Sequence, residues 1–531
     1  MKMNTIWFSV CSGILLGMAW LPGSTGLTLL FAFVPLMFME LFFYENRKVY
    51  KSVKVFYNAA LAFFIWNIIA TWWIKNATVA GLVMAVVVNT MLMSLVFWLA
   101  HITRRRTGNG MGNFAFIVYW IVFELIYING EISWPWLTLG YGFAEDIRWI
   151  QWYEFTGSLG GSLWVLLSNV LLTVVFKKYM FTGKMSGVKL ELIAFAVWFI
   201  VPVGYSFLRF STYVEENNPR EIVVLQPNID PYKKFVDMES IEQTKILIRL
   251  ADSLTDENTD YVVGPETAIN NNIWLNNMWS IPDIRLVKKF VDQHPHVTFI
   301  VGITSLRRYD GPETPTSRAI GETGYYYDTF NTAIQIDSTS NIPIYHKSKL
   351  VVGVEKMPYP RYLNFLKKLT VRLGGTFRSH GTQKERANFY SVHDSTGISP
   401  VICYESVYGE FVTDYIRKGS DFIFIITNDG WWGNTPGHKQ HNNYASLRSI
   451  ETRRSIARSA NTGITSFINQ RGEILQELGW WKRGALKETL HANQKITFYV
   501  KHGDYIGRIA GFFAVLVLLY TITARLIQKK L

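Results

Sequence analysis

The sequence is poor in cysteine and in charged residues, and both shortages limit what the chain can be. Its 531 residues include two cysteines, Cys11 in an apolar run near the start and Cys403 far downstream. Because a membrane span would separate the two thiols, a structural disulfide between them is not expected. Charged residues make up 18% of the chain, below the roughly 25% that is typical of soluble domains. Part of the chain is therefore predicted to lie in lipid.

Acidic residues are outnumbered, with 40 Asp and Glu against 53 Lys and Arg, and the formal net charge is +13. A nucleic-acid partner would require this basic excess on one face of a folded domain. The basic residues instead lie in short segments beside apolar runs, which is typical of the loops of a membrane protein. Nucleic acid is therefore not expected as a partner. The chain also has no glycine loop of the phosphate-binding type.

Apolar and aromatic residues are abundant, at 49% and 15% of the chain. A helix needs about 20 mainly apolar residues to cross a bilayer. About eight windows qualify, near residues 5–20, 25–43, 57–74, 79–101, 112–129, 158–176, 188–208 and 506–527. The predicted organisation is a transmembrane region of about seven helices at 1–210, an extramembrane domain at 211–505, and a last span with a short tail at 506–531.

The first apolar window has the basic start and apolar body of a signal peptide, and Cys11 suggests a lipoprotein cleavage site. However, Val10 stands directly before Cys11, where such a site requires a small residue. A second apolar run also follows almost at once. We therefore expect this window to remain as an uncleaved first span.

The distribution of Lys and Arg between the spans predicts the orientation, because positively charged loops stay in the cytoplasm. Basic clusters follow the second, fourth, sixth and eighth windows. Their members are Arg47, Lys48, Lys51, Lys54, Arg104, Arg105, Arg106, Lys177, Lys178, Lys184, Lys189, Arg525, Lys529 and Lys530. The alternate loops carry only Lys75 and Arg148. Both termini are therefore expected in the cytoplasm, and the long segment from about 210 to 505 on the outer side.

That long segment has a different pattern, since short β-rich runs alternate with amphipathic stretches. The runs predicted to be strands are EIVVLQ, DYVVGPE, VTFIVGI, YYYDTFNTAIQI, SPVICYE, DFIFIIT and GITSFIN. Helices are predicted for MESIEQTKILIRLADSL and for residues 442–457. The fold class expected for this segment is therefore an α/β domain.

Three residues with reactive side chains follow apolar runs here, at the strand ends where α/β enzymes carry their sites. Cys403 ends the run in SPVICYE, Glu266 closes YVVGPE, and Lys347 follows IPIYH. A helix beginning just beyond Cys403 would lower the pKa of its thiol. Each residue alone also has a structural interpretation, as a buried apolar cysteine, a capping or surface glutamate, or a solvated lysine at a strand edge.

Taken together, VVGPE, YHK and ICYE resemble the Glu-Lys-Cys triad of the nitrilase, or carbon-nitrogen hydrolase, superfamily. With its spans, the whole chain resembles the apolipoprotein N-acyltransferase family, in which a nitrilase-like α-β-β-α sandwich lies between the seventh and eighth spans. The resemblance implies that Glu266, Lys347 and Cys403 are catalytic. It extends to the supporting positions Glu355, Pro358, Tyr404, Glu405, Asn331 and Trp431, to RSANTGIT from Arg458, and to PWLTLGYG at 135–142.

The chain departs from the family in two places. The family often has QGN followed by a functional Trp, whereas this chain reads QPNIDPYKKF, with Phe235 nearest that position. Residues 349–380 match poorly beyond their first few positions. No role is therefore expected for Phe235 by resemblance alone.

The resemblance implies acyl transfer from a phospholipid such as phosphatidylethanolamine, through a Cys403 thioester, to the α-amino group of a diacylglyceryl-modified apolipoprotein. It implies a monomer in the bacterial inner membrane that needs no cofactor or metal. Glu266 would act as general base, while Lys347 and the backbone N–H of Tyr404 would stabilise the oxyanion. The apolar stretches IWLNNMW at 273–279 and PYPRYLNFL at 358–366 are candidates for lipid contact, although ordinary packing explains them equally well.

Two other functions remain open from the residues alone. A membrane-anchored amidase of the nitrilase type would use the same triad but pass the acyl group to water. A transporter or scaffold would need charges inside its spans, where the sequence offers few, notably Glu40 and Glu124. His438 and His441 have the spacing of a helical metal-ligand pair, but no third ligand is evident, so surface or hydrogen-bonding roles are favoured.

Overall fold

The computed structural model describes residues 4–234, 237–356 and 379–530 and divides the chain into two compact units. The first unit comprises residues 1–75, 79–212 and 502–531, and the second comprises residues 76–78 and 213–501. Phe235, Pro358 and the stretch 358–366 lie outside the described residues.

The first unit is helical. Its α-helices are α1 (Thr5–Met18), α2 (Leu29–Ala32), α3 (Val34–Glu45), α4 (Val53–Thr71), α5 (Val79–Thr107), α6 (Asn109–Asn129), α7 (Tyr153–Thr182) and α8 (Lys189–Thr212). The second unit ends within α13 (Phe498–His502), and the first unit then includes α14 (Tyr505–Lys530). Within the described part of the chain, seven helical segments are long and apolar enough to cross a membrane, and α1 is a shorter apolar helix. The prediction of a helical membrane region with about eight apolar segments is confirmed.

A buried carboxylate organises the PWLTLGYG segment of this unit. Glu124 on α6 is 3% exposed, and its Oε1 accepts hydrogen bonds from the Trp120 indole at 3.0 Å and from the backbone N–H of Leu139 at 2.9 Å. The N–H of Gly140 donates to Ser162 Oγ at 3.1 Å, and its carbonyl accepts from the Tyr153 hydroxyl at 2.9 Å. Since backbone groups in apolar surroundings need partners, these bonds compensate the irregular turns of this segment.

The second unit contains two β-sheets. Its strands are β1 (Pro219–Gln226), β2 (Thr259–Val263), β3 (Ile269–Trp274), β4 (Thr298–Tyr309), β5 (Arg318–Ala319), β6 (Tyr326–Ile336), β7 (Ile344–His346), β8 (Phe389–Tyr390), β9 (Gly397–Ile402), β10 (Phe422–Thr427), β11 (Ser455–Ala460), β12 (Thr465–Ile468), β13 (Ile474–Leu478) and β14 (Gly484–His491). The first sheet runs β14-β1-β2-β4-β6-β5, with β3 paired to β4 and β7 to β6. The second sheet runs β13-β12-β11-β10-β9-β8.

The two sheets pack face to face, with helices on their outer faces. The Ser459 hydroxyl on β11 donates to the carbonyl of Leu225 on β1 at 2.7 Å, and the rings of Tyr261 and Phe424 lie 5.5 Å apart across the same interface. Helices α9 (Ser240–Asp252) and α10 (Pro282–Gln293) pack on the first sheet, and α11 (Gly409–Arg417) and α12 (Pro436–Thr452) on the second. This α-β-β-α arrangement confirms the predicted fold class.

The predicted helix at 442–457 has the wrong boundaries. Helix α12 begins six residues earlier, at Pro436, where the hydroxyl of Thr435 accepts a hydrogen bond from the N–H of Gly437. It ends at Thr452, because Arg453 adopts the left-handed conformation with φ of 52°. The residues from Ser455 onward instead form β11, which pairs in parallel with β10. Pairing in the sheet therefore overrides the helical pattern of these residues.

We predict that Gly140→Ala destabilises the protein. A Cβ at this position would lie 1.9 Å from the backbone carbonyl oxygen of Ser158, which no side-chain rotation can relieve. Overpacking of this kind costs about 1–3 kcal/mol, so the midpoint of thermal unfolding in detergent should fall. Gly110→Ala is the matched control, because a Cβ there meets nothing within 4 Å. Equal midpoints for the two variants would contradict the prediction.

Candidate active site

Glu266 lies just beyond the carboxyl end of β2, in a turn that packs tightly against β4. The N–H of Gly264 donates to the carbonyl of Ile300 at 2.8 Å, and the N–H of Gly302 donates to that of Pro265 at 3.1 Å. A side chain at Gly302 would lie 2.7 Å from the Cα of Glu266, so only glycine permits this approach. The carboxylate of Glu266 is thereby held inside the unit, where the residue is 6% exposed.

Lys347 follows β7 directly and is bound by two carboxylates. Its Nζ lies 3.0 Å from Glu266 Oε1 and 2.8 Å from Glu355 Oε1, and the residue is 1% exposed. The side-chain amide of Asn331 on β6 donates to Glu266 Oε1 at 2.6 Å. The backbone carbonyl of Asn331 accepts a hydrogen bond from the backbone N–H of Lys347 at 2.8 Å. Glu355 is oriented in turn by the N–H of Val351, which donates to Oε2 at 2.8 Å. The four predicted residues Glu266, Lys347, Glu355 and Asn331 thus form one buried network.

The charges of this network stabilise one another. Burial opposes the ammonium of Lys347, but Glu266 and Glu355 outweigh it and hold the pKa of this lysine well above its ordinary value. Burial likewise opposes the carboxylate of Glu355, yet the charge of Lys347 keeps its pKa below the usual range. Lys347 is therefore a permanent buried cation beside Glu266.

Cys403 is the first residue after β9 and has a left-handed backbone, with φ of 51°. This conformation is unfavourable for a residue with a Cβ, so surrounding contacts must impose it. The side chain is close enough to the network for the charges of Lys347 and Glu266 to act on its thiol. Cys403 is 8% exposed, which leaves little contact with water.

The predicted lowering of the Cys403 pKa is wrong. Burial, and next the charge of Glu266, raise the pKa of this thiol, and Lys347 offsets only part of the effect. The reason lies in the local backbone, because residues Cys403–Val407 form a five-residue 3₁₀ turn and α11 begins only at Gly409. The α-helix that was predicted to begin just beyond Cys403 therefore does not begin there. The resting group is a neutral thiol, and a base must remove its proton before it can react.

Glu405 ties the turn of Cys403 to the segment that carries Lys347. Its Oε2 accepts from the N–H of Ile402 at 2.9 Å, and its Oε1 accepts from the N–H of Ser348 at 2.6 Å and from the Tyr345 hydroxyl at 2.7 Å. Burial raises the pKa of this carboxyl, although these three donors oppose the shift. Glu405 thus fixes the distance between the two strand ends that present the thiol and the amine.

Two further predicted residues pack through their aromatic rings. Tyr404 is 3% exposed and packs its ring against Tyr408, with 5.2 Å between the centroids. Trp431 lies in the turn after β10 and packs its ring against Tyr232 at 5.1 Å.

Of the apolar stretch 273–279, Ile273 is fully buried and Trp279 is 37% exposed, with its indole donating to the carbonyl of Ser340 at 3.1 Å. That stretch is therefore partly core and partly surface.

Two charged residues beside this site escaped the sequence interpretation. Lys234 is 1% exposed, and its Nζ lies 3.4 Å from the carbonyl of Glu266 and 3.2 Å from Thr267 Oγ1. Asp429 is fully buried, and its charge acts on the Cys403 thiol. The sequence did contain a sign of Asp429, because this residue comes two positions after the buried strand FIFIIT, at a strand end where α/β enzymes carry their sites. Lys234 had no comparable signal, since a lysine in a polar loop is normally exposed.

The histidine pair on α12 is buried, so the surface role considered for it is wrong. His441 is fully buried and its Nδ1 lies 2.9 Å from Asp429 Oδ1, which agrees with the hydrogen-bonding role. The His438 ring stacks on Trp480 at 4.6 Å. Across the described residues, no group of three or more His, Cys, Asp or Glu side chains is arranged to hold a metal ion.

Comparison with known proteins matches both units to families. Residues 223–494 match the carbon-nitrogen hydrolase family, and residues 12–171 match the apolipoprotein N-acyltransferase N-terminal domain. The chain belongs to the carbon-nitrogen hydrolase family, and its additional N-terminal domain assigns it to the apolipoprotein N-acyltransferases within that superfamily.

Individual relatives agree with this assignment. The apolipoprotein N-acyltransferase of Chlorobaculum tepidum is 27% identical, over 88% of this chain and 87% of that protein. The one from Bdellovibrio bacteriovorus is 25% identical, over 94% of this chain and 90% of that protein. Among solved structures, a nitrilase-superfamily amidase from Nesterenkonia AN1 covers 56% of this chain and 99% of its own, with 12% identity and a TM-score of 0.37.

We predict that Lys234 makes stability depend on pH. Burial lowers the pKa of this lysine from 10.5 to about 7, with Glu266 opposing only part of the shift. Between these two values the unfolded chain holds a proton that the folded chain has released, so stability should rise as pH rises from about 7 to 10. The rise would be at most about 4 kcal/mol.

Thermal unfolding midpoints of the full chain in detergent, at several pH values across that window, test this prediction. Lys234→Met should abolish the rise in stability, because methionine at this position has no titratable group. Lys233→Met is the matched control, since Lys233 is exposed and adjacent, and it should retain the rise. The same pH dependence in both variants would show that Lys234 is not the source.

Proposed function

We propose that this membrane protein is an apolipoprotein N-acyltransferase, which transfers an acyl chain from a phospholipid through a Cys403 thioester to a lipoprotein amine. The observation that carries the proposal is the buried ammonium of Lys347, which is bound by Glu266 and Glu355 and lies close enough to act on the thiol of Cys403. The named relatives and the two matched families support the same reaction. In this proposal Glu266, Lys347 and Cys403 are the catalytic residues.

In the first half-reaction, Glu266 accepts the proton of the Cys403 thiol, and the thiolate attacks the ester carbonyl of the phospholipid. The new C–S bond leaves a negative charge on the carbonyl oxygen. The Lys347 ammonium and the backbone N–H of Tyr404 stabilise this oxyanion, and one such donor is worth about 3 kcal/mol. The ester C–O bond then breaks, and Glu266 returns its proton to the leaving alkoxide of the lysophospholipid.

In the second half-reaction, the amine of a diacylglyceryl-modified cysteine attacks the thioester. Glu266 accepts a proton from the attacking nitrogen, a C–N bond forms, and the C–S bond breaks. The Cys403 thiolate is released and takes a proton back from Glu266. The raised pKa of the Cys403 thiol explains why a base is needed in the first half-reaction and why the free enzyme returns to the neutral form.

The supporting residues act through these three. Asn331 and Glu355 hold Lys347 and Glu266 in place by the contacts described above, and Glu405 holds the two strand ends together. Tyr404 contributes its backbone N–H. Pro358 and Trp431 belong to the proposal by family resemblance alone. The enzyme acts as a monomer, with phosphatidylethanolamine as the acyl donor and no cofactor.

The membrane helices favour transfer over hydrolysis, because an amidase acting on a soluble amide gains nothing from extensive lipid contact. A thioester must also survive until its acceptor arrives, which requires a site with little water, and Cys403 is 8% exposed. Following the distribution of Lys and Arg, we place both termini in the cytoplasm and residues 211–505 outside the bacterial inner membrane. Residues 1–210 and 506–531 then form the transmembrane region.

Intact-mass measurement on the full chain with phosphatidylethanolamine in detergent micelles tests the function. The wild type should gain the mass of one acyl group, keep it in the absence of acceptor, and lose it when a diacylglyceryl-cysteine peptide is added. Cys403→Ala should gain nothing, because the nucleophile is gone. Cys11→Ala is the matched control with the other cysteine removed, and it should behave as wild type.

Two outcomes would reject the proposal. Continuous release of free fatty acid without acceptor would identify a hydrolase of the amidase type. Retention of peptide acylation by Cys403→Ala would exclude the thioester route.

A further inference from the structure

The backbone of Cys403 is held in its left-handed conformation through its carbonyl oxygen. This oxygen accepts a hydrogen bond from the hydroxyl of Ser406 at 2.7 Å, and His441 Nε2 lies 3.3 Å from it. His441 Nε2 is also 3.0 Å from Ser406 Oγ. All three residues are buried. The carbonyl of Cys403 is therefore contacted by its own turn, through Ser406, and by α12, through His441.

These contacts restrict which atoms can donate. A carbonyl oxygen can only accept, so the single hydroxyl proton of Ser406 is used in its bond to Cys403. In a hydrogen bond with Ser406 Oγ, His441 Nε2 is then the donor, and the same nitrogen lies 3.3 Å from the Cys403 carbonyl. The other ring nitrogen, Nδ1, lies 2.9 Å from Asp429 Oδ1 and 3.2 Å from Arg458 Nη2. The imidazole thus spans the distance between a carboxylate and the nucleophile's backbone.

Asp429 is itself held as a carboxylate. Burial would raise its pKa, but Arg458 and His441 outweigh burial and hold the pKa well below the usual range. Arg458 Nη2 donates to Asp429 Oδ2 at 2.6 Å. The neighbouring Thr427 hydroxyl donates to Asp429 Oδ1 at 2.8 Å, and Thr427 lies close enough to Cys403 to affect the pKa of its thiol. Asp429 therefore reaches the carbonyl of Cys403 through His441, and it also binds Thr427 beside the thiol.

We propose that His441 and Asp429 are positioning residues for the nucleophile. His441 holds the carbonyl of Cys403 and thereby its left-handed backbone, and Asp429 orients the His441 ring and the Thr427 hydroxyl. Neither residue touches the substrate or exchanges protons with it. The inference rests on the proposed function in one respect, because it takes Cys403 to be the group that attacks the acyl donor.

Two amide substitutions at His441 test the contacts of its two ring nitrogens separately. The amide of His441→Gln reaches the position of Nε2 and can still donate toward Ser406 and Cys403. The amide of His441→Asn reaches only the position of Nδ1, so it keeps the contact with Asp429 and loses the one with Cys403. If His441 acts through the nucleophile, the Gln variant is the active one. If His441 only completes the packing around Asp429, the Asn variant is the active one.

The rate of Cys403 acylation in a single turnover, measured by intact mass with saturating phosphatidylethanolamine, should show this order. His441→Asn should be slower than wild type by about tenfold to a hundredfold, because small displacements of a reacting group have effects of this size. His441→Gln should stay within about fivefold of wild type, since it keeps the donor. The apparent KM for phospholipid should not change in either variant, because neither contacts the lipid.

The reverse order, equal slowing of both variants, or wild-type rates in both would overturn the inference. If thermal unfolding shows that both variants fail to fold, Ser406→Ala is the replacement test. This variant keeps the imidazole and removes only the hydroxyl that lies between His441 and the Cys403 carbonyl. Its acylation rate should fall about tenfold, and an unchanged rate would overturn the inference.

Alkylation of Cys403 by iodoacetamide, in a Cys11→Ala background, provides a readout that needs no phospholipid. We expect iodoacetamide to alkylate Cys403 more slowly in His441→Asn than in His441→Gln, because a displaced thiol is also displaced from Glu266. If the wild type forms no acyl-enzyme but the alkylation order holds, the proposed function fails and the positioning role stands. If the wild type forms the acyl-enzyme but the order fails, the positioning role alone is rejected.

Discussion

The buried ammonium of Lys347 is the group on which the site depends. Burial of a lysine that is 1% exposed favours loss of its proton, and the carboxylates of Glu266 and Glu355 outweigh burial and keep it charged. Those partners, Glu266 and Glu355, come from different parts of the chain, and Asn331 joins them by hydrogen bonds. Removal of one partner from such a pair leaves an uncompensated buried charge, which is far costlier than the pair itself. The charge on Lys347 therefore links the arrangement of three chain segments to the chemistry they perform.

The same low-polarity surroundings explain the state of the nucleophile. Burial stabilises a neutral thiol at Cys403, although the ammonium of Lys347 lies close enough to act on it. A thiol kept neutral at rest is protected from unwanted reactions and becomes reactive only when a base removes its proton. This distribution of charge fits the proposed thioester route, in which the enzyme waits for two substrates in turn. In that proposal the orientation of the thiol matters, because its proton passes to Glu266.

Several contacts fix that orientation, and they come from both sheets of the second unit. Glu405 joins the turn of Cys403 to the segment after β7, which belongs to the first sheet. Ser406, in the turn of Cys403, donates to the carbonyl of Cys403, and His441 on α12, which covers the second sheet, lies beside the same oxygen. The unfavourable left-handed backbone of Cys403 thus has contacts from its own turn, from the segment after β7 and from α12. The fold contributes rigidity here, while the reactive groups themselves stand on short connections after the strands.

Much of this organisation could be predicted from residue patterns. The apolar windows matched helices because hydrocarbon thickness sets the length of a span, and the runs EIVVLQ and DFIFIIT matched strands because they are short and rich in β-branched residues. The end of the helix near 452 was missed because the left-handed Arg453 and the pairing of β11 depend on a neighbouring strand. The Cys403 pKa was missed because burial and the nearby Glu266 charge are properties of the folded unit.

The sequence by itself determined the two-part architecture and the residues worth considering as catalytic, because composition, periodicity and strand-end position are local properties of the chain. It also placed Glu355 and Asn331 beside them by resemblance. Only the tertiary structure decided which charges meet, that Lys347 is shared by two carboxylates, and that Lys234, Asp429 and His441 are buried next to the site. The physical reason is that a pKa, a left-handed backbone and a buried hydrogen bond all depend on groups distant in sequence, whose positions follow from how the two sheets pack.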